Sequence, residues 1–192
     1  MGVVILGLLS RQARMSSGQI VSAGDTPSPM PHHDLVEDMV RVRFGMEQDD
    51  SGWPPVTSEG LWAWPVGPSQ FKLDNTPWFV RGVAADDIVE AEQDDEGVWW
   101  CTRVLEAGGR VVVRVIPRLE GPLKGDRQAV LDAFAPLGVE GEGIAEPVSI
   151  VALDISPATA ADPVKRLLER GHEDGWWHYE EGCVTDDWLA SG

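Results

Sequence analysis

The spacing of the hydrophobic residues changes once along this chain, from the alternation of strands to the spacing of helices. That change constrains the fold more than any other feature. Up to about residue 116, apolar and polar residues alternate as they do in half-buried strands. The first strand has an apolar face made of Val40, Val42, Phe44 and Met46, with Arg41 and Arg43 on the other face. Beyond residue 125 the apolar residues recur at helical spacing. Strands followed by mixed helices and strands predict an α+β fold.

The first half is rich in short strands. After the first strand, the pattern predicts strands at residues 61–66, 70–73, 88–92, 98–106 and 110–116. Short turns containing Gly, Pro or Asp separate them, for example at residues 67–69 and 94–97. Such short connections favour antiparallel neighbours, so we predict a meander that forms a small, strongly bent β-barrel.

The second half contains two amphipathic helices. The first is predicted to begin after Gly125 and Asp126 and to end at Gly138, with the stripe Val130, Leu131, Phe134 and Leu137. The second is predicted to begin with Asp162 as N-cap before Pro163 and to end at Gly171, with the stripe Val164, Leu167 and Leu168.

Further strands are predicted near Val139, at 148–155 and at 176–181. The order of these elements predicts a ferredoxin-like split βαβ half with both helices on one sheet face. The strand at 110–116 is expected to belong to both halves.

Composition divides the chain into four parts. Residues 1–38 contain few large apolar side chains after the opening run and are predicted to form a flexible tail. Residues 39–109 form the barrel-like half, residues 110–188 the ferredoxin-like half, and residues 189–192 a short tail. The opening apolar run, residues 1–9, is too short to span a bilayer, and Arg11 and Arg14 follow it instead of preceding it as in a secretory signal. We therefore expect no membrane association.

Charge and cysteine content limit the partners and the compartment. The chain has 15 Lys and Arg against 32 Asp and Glu, a formal net charge of -17. This charge repels nucleic acid and would suit a basic protein partner. The alternative is that the negative charge only keeps the protein soluble. Two cysteines, Cys101 and Cys183, do not make a secreted disulfide scaffold, so we expect a reducing cytoplasm.

Nine tryptophans are the outstanding compositional feature. Trp99 with Trp100, and Trp176 with Trp177, are adjacent, so in a strand one ring of each pair faces the core and the other faces outward. Trp62 and Trp64 share a face. The rings serve either core packing or recognition of a partner.

Residues 73–82, L-D-N-T-P-W-F-V-R-G, are the densest mixture of polar and aromatic side chains and form our main candidate site. In one interpretation the site is structural: Asp74 pairs with Arg81, and Asn75 satisfies backbone groups of a turn. In the other, Arg81 and Asn75 bind an anionic or amide-bearing group beside Trp78.

The C-terminal region adds His178 and Glu180 as candidates. Glu180 belongs to an acidic patch with Glu181, Asp186 and Asp187, where a buried carboxylate could act as an acid or base. The spacing of His172, His178 and Cys183 matches no zinc signature, so no metal is expected. No nucleotide or other cofactor motif is recognised.

Four motifs carry a resemblance to a known family. They are G-W-P-P (52–55), E-x-L-W-A (59–63), L-D-N-T-P-W-F-V-R-G (73–82) and G-W-W-H-Y-E-E-G (175–182). The chain resembles a bacterial family of uncharacterised domains with G-W-P-P, L-D-N-x-P-F-F-x-x-G and late E-E-G motifs, over residues 40–184. Trp78 stands where the family usually has an aromatic residue. The resemblance implies no activity.

Two functional hypotheses follow. The first is a non-enzymatic protein-binding module, of the immunity or antitoxin type, whose acidic surface and exposed tryptophans engage a basic protein. The second is an enzyme or small-ligand binder with a pocket between the two halves, near Arg81 and lined by Trp78, Asn75 and His178.

Overall fold

The computed structural model describes residues 39–191, so the tail predicted for residues 1–38 lies outside the described residues. The strands are β1 (Val40–Gly45), β2 (Ser58–Gly67), β3 (Gln70–Leu73), β4 (Ile88–Gln93), β5 (Trp99–Glu106), β6 (Val111–Pro117), β7 (Glu140–Ile144), β8 (Ile150–Ile155) and β9 (Trp177–Cys183). The helices are α1 (Arg127–Phe134), which a 3-10 helix continues over Ala135–Leu137, α2 (Ala161–Glu173) and α3 (Asp186–Ala190). The protein is thus an α+β protein.

Strands β1 to β5 form a closed barrel in sequential order. Neighbours are antiparallel, and the barrel closes where β1 pairs in parallel with β5 through Val42 with Trp99 and Arg43 with Trp100. Alternate residues point inward because successive side chains of a strand face opposite ways. The interior is filled by Val42, Phe44, Leu61, Ala63, Phe71, Leu73, Val89 and Ala91. The predicted barrel is confirmed.

Strands β6 to β9 form a second sheet in the order β7-β8-β6-β9, with antiparallel pairing throughout. Val111, Val113 and Val115 of β6 point toward the helices, where they pack with Val151, Leu153 and Ile155 of β8. Residues of α1 and α2 cover this face: Val130, Phe134, Val164 and Leu168. Both helices therefore lie on one side of the sheet.

The strand β6 is not shared between the two sheets, so that prediction is wrong. Among the described strands, β6 pairs with β8 and β9. The barrel is already closed by β5 and β1 before the chain reaches β6. A strand's hydrophobic pattern shows which face is buried but not which neighbours it pairs with.

The second face of this sheet packs on the loop that joins β3 to β4. This loop contains the candidate site at residues 73–82, and we call those residues the candidate loop. Trp78 and Phe79 of that loop contact Ile150 and Ala152 of β8, and Trp53 packs edge-on to Phe79 with ring centroids 5.9 Å apart. The candidate loop thus forms the packing layer between barrel and sheet.

The ends of α1 agree with the sequence, whereas those of α2 do not. Asp126 caps α1 by accepting from the N–H groups of Gln128 and Ala129. For α2, the N-cap is Ala160 instead of Asp162, and the helix continues past Gly171. Gly171 is needed because a Cβ there would lie 2.1 Å from the ring of Trp177. It marks a close approach of the helix to β9, not a helix end.

Helix α3 buries Trp188, whose indole N–H donates to Glu181 at 2.7 Å. It extends to Ala190, into the residues assigned to the C-terminal tail. Within residues 39–191, no helix is both long and apolar enough to cross a membrane.

Candidate functional site

A single carboxylate, that of Glu59 on β2, holds the candidate loop. Its two oxygens accept hydrogen bonds from the backbone N–H groups of Trp78, Phe79 and Val80, at 2.6, 2.8 and 2.9 Å. Sequence reasoning missed this role, because Glu59 entered only as part of a motif and its partners lie about 20 residues further along the chain. One signal for this role was available: Glu59 is a single acidic residue on a strand, and a loop rich in buried residues follows that strand.

Asp74 and Asn75 are bound to β2 and not to Arg81. The amide oxygen of Asn75 accepts from the N–H of Trp62 at 2.7 Å, and Asp74 accepts from the indole N–H of Trp64 at 3.0 Å. The predicted pair of Asp74 with Arg81 is therefore wrong. The loop is fixed by its backbone and by β2 instead.

Arg81 reaches across to the second sheet. Its guanidinium donates to Glu180 of β9 at 2.6 Å, and the opposite oxygen of Glu180 accepts from Arg114 of β6 at 2.7 Å. The Arg81 side chain is 65% exposed, that of Glu180 is 29% exposed and that of Arg114 is fully buried. Glu180 thus bridges a surface arginine and a core arginine.

Arg114 was missed by sequence reasoning, although a charged residue in the middle of an apolar strand is a visible signal. Its guanidinium also donates to the carbonyl of Val80, which ties β6 to the candidate loop. Gly182 of β9 leaves room for this group, since a Cβ there would lie 2.9 Å from the guanidinium carbon. The same glycine accepts a hydrogen bond from the N–H of Gly82 at 2.8 Å.

A pocket of about 210 Å³ lies beside this bridge, lined by Trp53, Arg114, Ile116, His178, Tyr179 and Glu180. Arg114, Ile116, His178 and Glu180 share one face of the paired strands β6 and β9. Slight desolvation at the pocket wall, together with the nearby Arg118 and His172, lowers the pKa of His178, so the neutral form of its exposed ring predominates near pH 7. Tyr179 packs toward the helices, so its ring belongs to the other face.

Of the six predicted site residues, three lie around one feature and three do not. Arg81 and Glu180 form an ion pair, and His178 lines the adjacent pocket with Glu180. Asp74 and Asn75 are engaged with β2, and Trp78 is only 8% exposed within the packing layer. Trp78 therefore cannot anchor a partner without disrupting the fold.

Two titratable groups in the interior, Cys183 and Asp87, have raised pKa values. Burial raises the pKa of the Cys183 thiol to about 11, which keeps it protonated and unreactive. Burial also raises the pKa of Asp87, but this carboxylate accepts from the N–H groups of Ala84 and Gly108 and so serves the fold. These groups are structural.

A second, larger cavity of about 560 Å³ lies near the starts of α2 and α3. Asp186 and Asp187, members of the predicted acidic patch, line it together with Ser156, Thr159 and Trp188. Both carboxylates are in the first turn of α3, where acidic residues stabilise a helix start. Their position therefore stabilises the start of α3 at the edge of this cavity.

The hairpin joining β4 to β5 presents an acidic surface, which we call the acidic hairpin: Glu92, Asp94, Asp95, Glu96 and Trp100. Asp94 accepts from the N–H groups of Glu96 and Val98 and from the indole of Trp100, at 3.0, 2.9 and 2.7 Å. The bonds from Val98 and Trp100 lower the pKa of Asp94. The four acids are exposed, and Trp100 is partly buried.

Comparison with known proteins gives a family and a fold. The family described as a domain of unknown function (DUF4265) matches residues 59–179. The chain belongs to this family. The match begins at Glu59 and includes the candidate loop and Arg114, and it confirms the predicted membership of a family of unknown function.

A crystal structure of a hypothetical protein from Neisseria gonorrhoeae is similar, with a TM-score of 0.61 and 18% sequence identity. The alignment covers 80% of this chain and 98% of that one, so the likeness concerns the fold. No curated protein matches the chain.

Proposed function

We propose that this protein is a non-enzymatic protein-binding module, of the immunity or antitoxin type, whose acidic hairpin engages a basic protein partner. The observation that carries the proposal is the pre-organised tip at Asp94. There, a fixed indole stands beside four exposed carboxylates. Tryptophan is the residue most enriched at interface hot spots, and a charged rim speeds encounter with an oppositely charged partner.

The rigidity of the hairpin supports binding. A segment that is ordered before the partner arrives loses less conformational entropy on association. The polar groups at the candidate loop, in contrast, serve the fold. Asp74 and Asn75 of the loop, and Glu59 of β2, each accept hydrogen bonds from backbone or indole N–H groups. The exposed carboxylates of the hairpin remain for a partner, and the net charge of -17 favours a basic one.

Charge reversal tests this proposal. The tagged protein is expressed in its native host, and a stoichiometric partner is isolated and identified. The variant Asp95→Lys with Glu96→Lys should lose that partner, because both substitutions place cations against a basic surface. The control, Glu140→Lys with Glu142→Lys on β7, makes the same change of net charge elsewhere and should keep it. Equal retention by both variants would rule out the hairpin as the interface.

A second candidate function is small-ligand binding or catalysis in the pocket beside Glu180. The pocket lies between barrel and sheet, near Arg81, and has an aromatic wall at Trp53 and a neutral His178 at its side. A metabolite that is released when the purified protein is denatured, and that is absent from the folded His178→Ala variant, would support this candidate. Its absence from the wild-type protein would argue against it.

We also propose that the second sheet and its helices are a ferredoxin-like split βαβ unit. The strand order β7-β8-β6-β9, the antiparallel pairing and the two helices on one face support this assignment. The unpaired thiols of Cys101 and Cys183 support a reducing cytoplasm as the compartment.

A further inference from the structure

The outer surface of β1 and β2 has a cationic and aromatic character that is unusual for so acidic a chain. We call it the Arg–Trp face: Arg41, Arg43, Trp62 and Trp64. Arg41 lies directly opposite Trp62 in the ladder, and its guanidinium carbon is 5.4 Å from the centre of the Trp62 ring. Gly60 leaves the space for this, since a Cβ there would lie 3.2 Å from Nε of Arg41.

The two guanidinium groups of this face have no carboxylate partner within residues 39–191. Arg41 donates to the carbonyl of Gly60 at 3.3 Å, and Arg43 to the hydroxyl of Ser58 at 3.4 Å. No acidic oxygen of the described chain lies within salt-bridge distance of either group. By contrast Lys72, on the neighbouring strand, is paired with Asp86 at 2.8 Å. Among the described residues, neither guanidinium of the face is therefore held in an ion pair.

The face is also open to a partner. The ring of Trp62 is 39% exposed, and Arg43 is exposed beside it. Asn75 fixes the backbone at Trp62 by accepting from its N–H, and Asp74 fixes the ring of Trp64 by accepting from its indole N–H. Tryptophan and arginine are both enriched among the residues at the energetic centre of interfaces.

We propose that the Arg–Trp face binds an extended acidic polypeptide segment with carboxylates at alternate positions. Arg41 and Arg43 are two residues apart on a strand, which separates them by about 6.8 Å. Alternate side chains of an extended peptide have the same separation, so two carboxylates of one segment meet both guanidinium groups. This surface adjoins the acidic hairpin, because Arg43 lies opposite Trp100 where β1 pairs with β5, but its partner has the opposite charge.

An acidic peptide fits better than a nucleic acid. A nucleic acid carries a phosphate at every residue, and a binding protein supplies a track of many cations. Here the carboxylate of Asp74 lies at Trp64, and Asp94 lies near Arg43, so the positive surface ends after two side chains. A short segment with two carboxylates matches that extent.

Two synthetic peptides with blocked ends test the proposal: Glu-Val-Glu-Val, with alternate carboxylates, and its isomer Glu-Glu-Val-Val. In the isomer the two carboxylates point to opposite sides when the peptide is extended. Binding is followed by tryptophan fluorescence and by calorimetry at low salt. We expect the alternating peptide to bind several-fold more tightly than the isomer. Equal affinity, or no binding of either peptide, would overturn the proposal.

Substitutions then locate the site. Arg41→Gln with Arg43→Gln should weaken binding of the alternating peptide about tenfold, because two exposed charge pairs are lost. Arg103→Gln with Arg166→Gln removes the same charge outside the face and should leave the affinity unchanged. Thermal unfolding of both variants checks that they are folded. Equal loss in the two variants would show a non-specific charge effect and would contradict the proposal.

Two alternative occupants are tested in the same way. The first is nucleic acid. It would be the ligand of this face if a single-stranded oligonucleotide bound more tightly than the alternating peptide and if Arg41→Gln with Arg43→Gln abolished that binding. The second is another copy of this chain. It would be the occupant if the wild type bound no peptide but self-associated in sedimentation velocity, and if the same variant did not self-associate. Either outcome overturns the peptide proposal without affecting the acidic hairpin.

Discussion

The carboxylate of Glu180 accepts a hydrogen bond from the fully buried guanidinium of Arg114, with 2.7 Å between Oε1 and Nη1. The same guanidinium donates to the carbonyl of Val80. Through these two bonds a side chain in the centre of the second sheet holds both its neighbouring strand and the loop that leaves the barrel. The ion pair therefore joins the two halves of the fold.

Removing either member of this pair should destabilise the protein, but not equally. Glu180→Gln leaves the buried Arg114 without a counter-charge, and we expect a loss of about 3–5 kcal/mol in the free energy of unfolding. Arg114→Met should cost less, because the remaining carboxylate is 29% exposed and keeps Arg81 as a partner. Urea unfolding measures both values, with Glu169→Gln on the exposed surface of α2 as the control. A larger loss for Arg114→Met would contradict the assigned roles.

Glu59→Gln tests the carboxylate that holds the candidate loop. A glutamine offers one acceptor oxygen where the glutamate uses two for three N–H groups. Since hydrogen bonds to a charged group contribute about 1.5–3 kcal/mol each, we expect a loss of at least about 2 kcal/mol. Hydrogen exchange should also become faster at the amides of Trp78, Phe79 and Val80. Glu92→Gln, on the exposed side of β4, should change neither quantity.

The barrel was predictable because its signals are local. Alternation places Val42 and Phe44 on one face, and turn residues such as Gly97 mark the hairpins within a few positions. The ends of α1 were predictable for the same reason, since Asp126 caps groups two and three residues away. Pairing of β1 with β5, which closes the barrel, joins residues far apart and was not predictable from the pattern.

The candidate site depends on contacts that are distant in sequence, so its residues were found only in part. Arg81 and Glu180 were named separately, but their ion pair spans 99 positions and the bond from Arg114 to Glu180 spans 66. Composition singled out Trp78 without showing that β8 buries it. The sequence pattern predicts a helix end at Gly171, because nothing near it in the sequence shows that the ring of Trp177, on β9, occupies the space beside this glycine.

Cys183 should react slowly with alkylating reagents. Burial raises the pKa of its thiol to about 11, so the reactive thiolate is a very small fraction at pH 8. Peptide mapping after timed treatment with iodoacetamide measures the rate in the native protein. We expect the rate to rise with pH beyond the ordinary thiol range. Labelling at pH 8 as fast as in the urea-unfolded chain would contradict this environment.

Asp86 should make stability depend on pH in the acid range. Hydrogen bonds from Lys72 and Arg110 lower its pKa below the ordinary value of 3.8. Its contribution is therefore complete above that value and is lost as the pH falls through the lowered pKa of the folded state. Asn is the matched substitution, because Asp86 has a φ of 70° and Asn tolerates that conformation.

The free energy of unfolding of wild type and Asp86→Asn should differ by a constant amount from about pH 7 to about pH 5, and the difference should narrow below about pH 4. Urea unfolding at several pH values gives this difference. A difference in the free energy of unfolding that grows as the pH falls would contradict the prediction, because a carboxylate stabilised in its charged form loses its contribution at low pH.

Native mass spectrometry of the protein purified from its own host is the most direct test of protein binding through the acidic hairpin. We predict a stoichiometric complex with a basic polypeptide, which dissociates when purification is repeated at about 1 M salt, where charges are screened within about 3 Å. The complex should be absent for Asp95→Lys with Glu96→Lys. A chain that carries a bound small molecule and no polypeptide would contradict the binding function and favour the pocket beside Glu180.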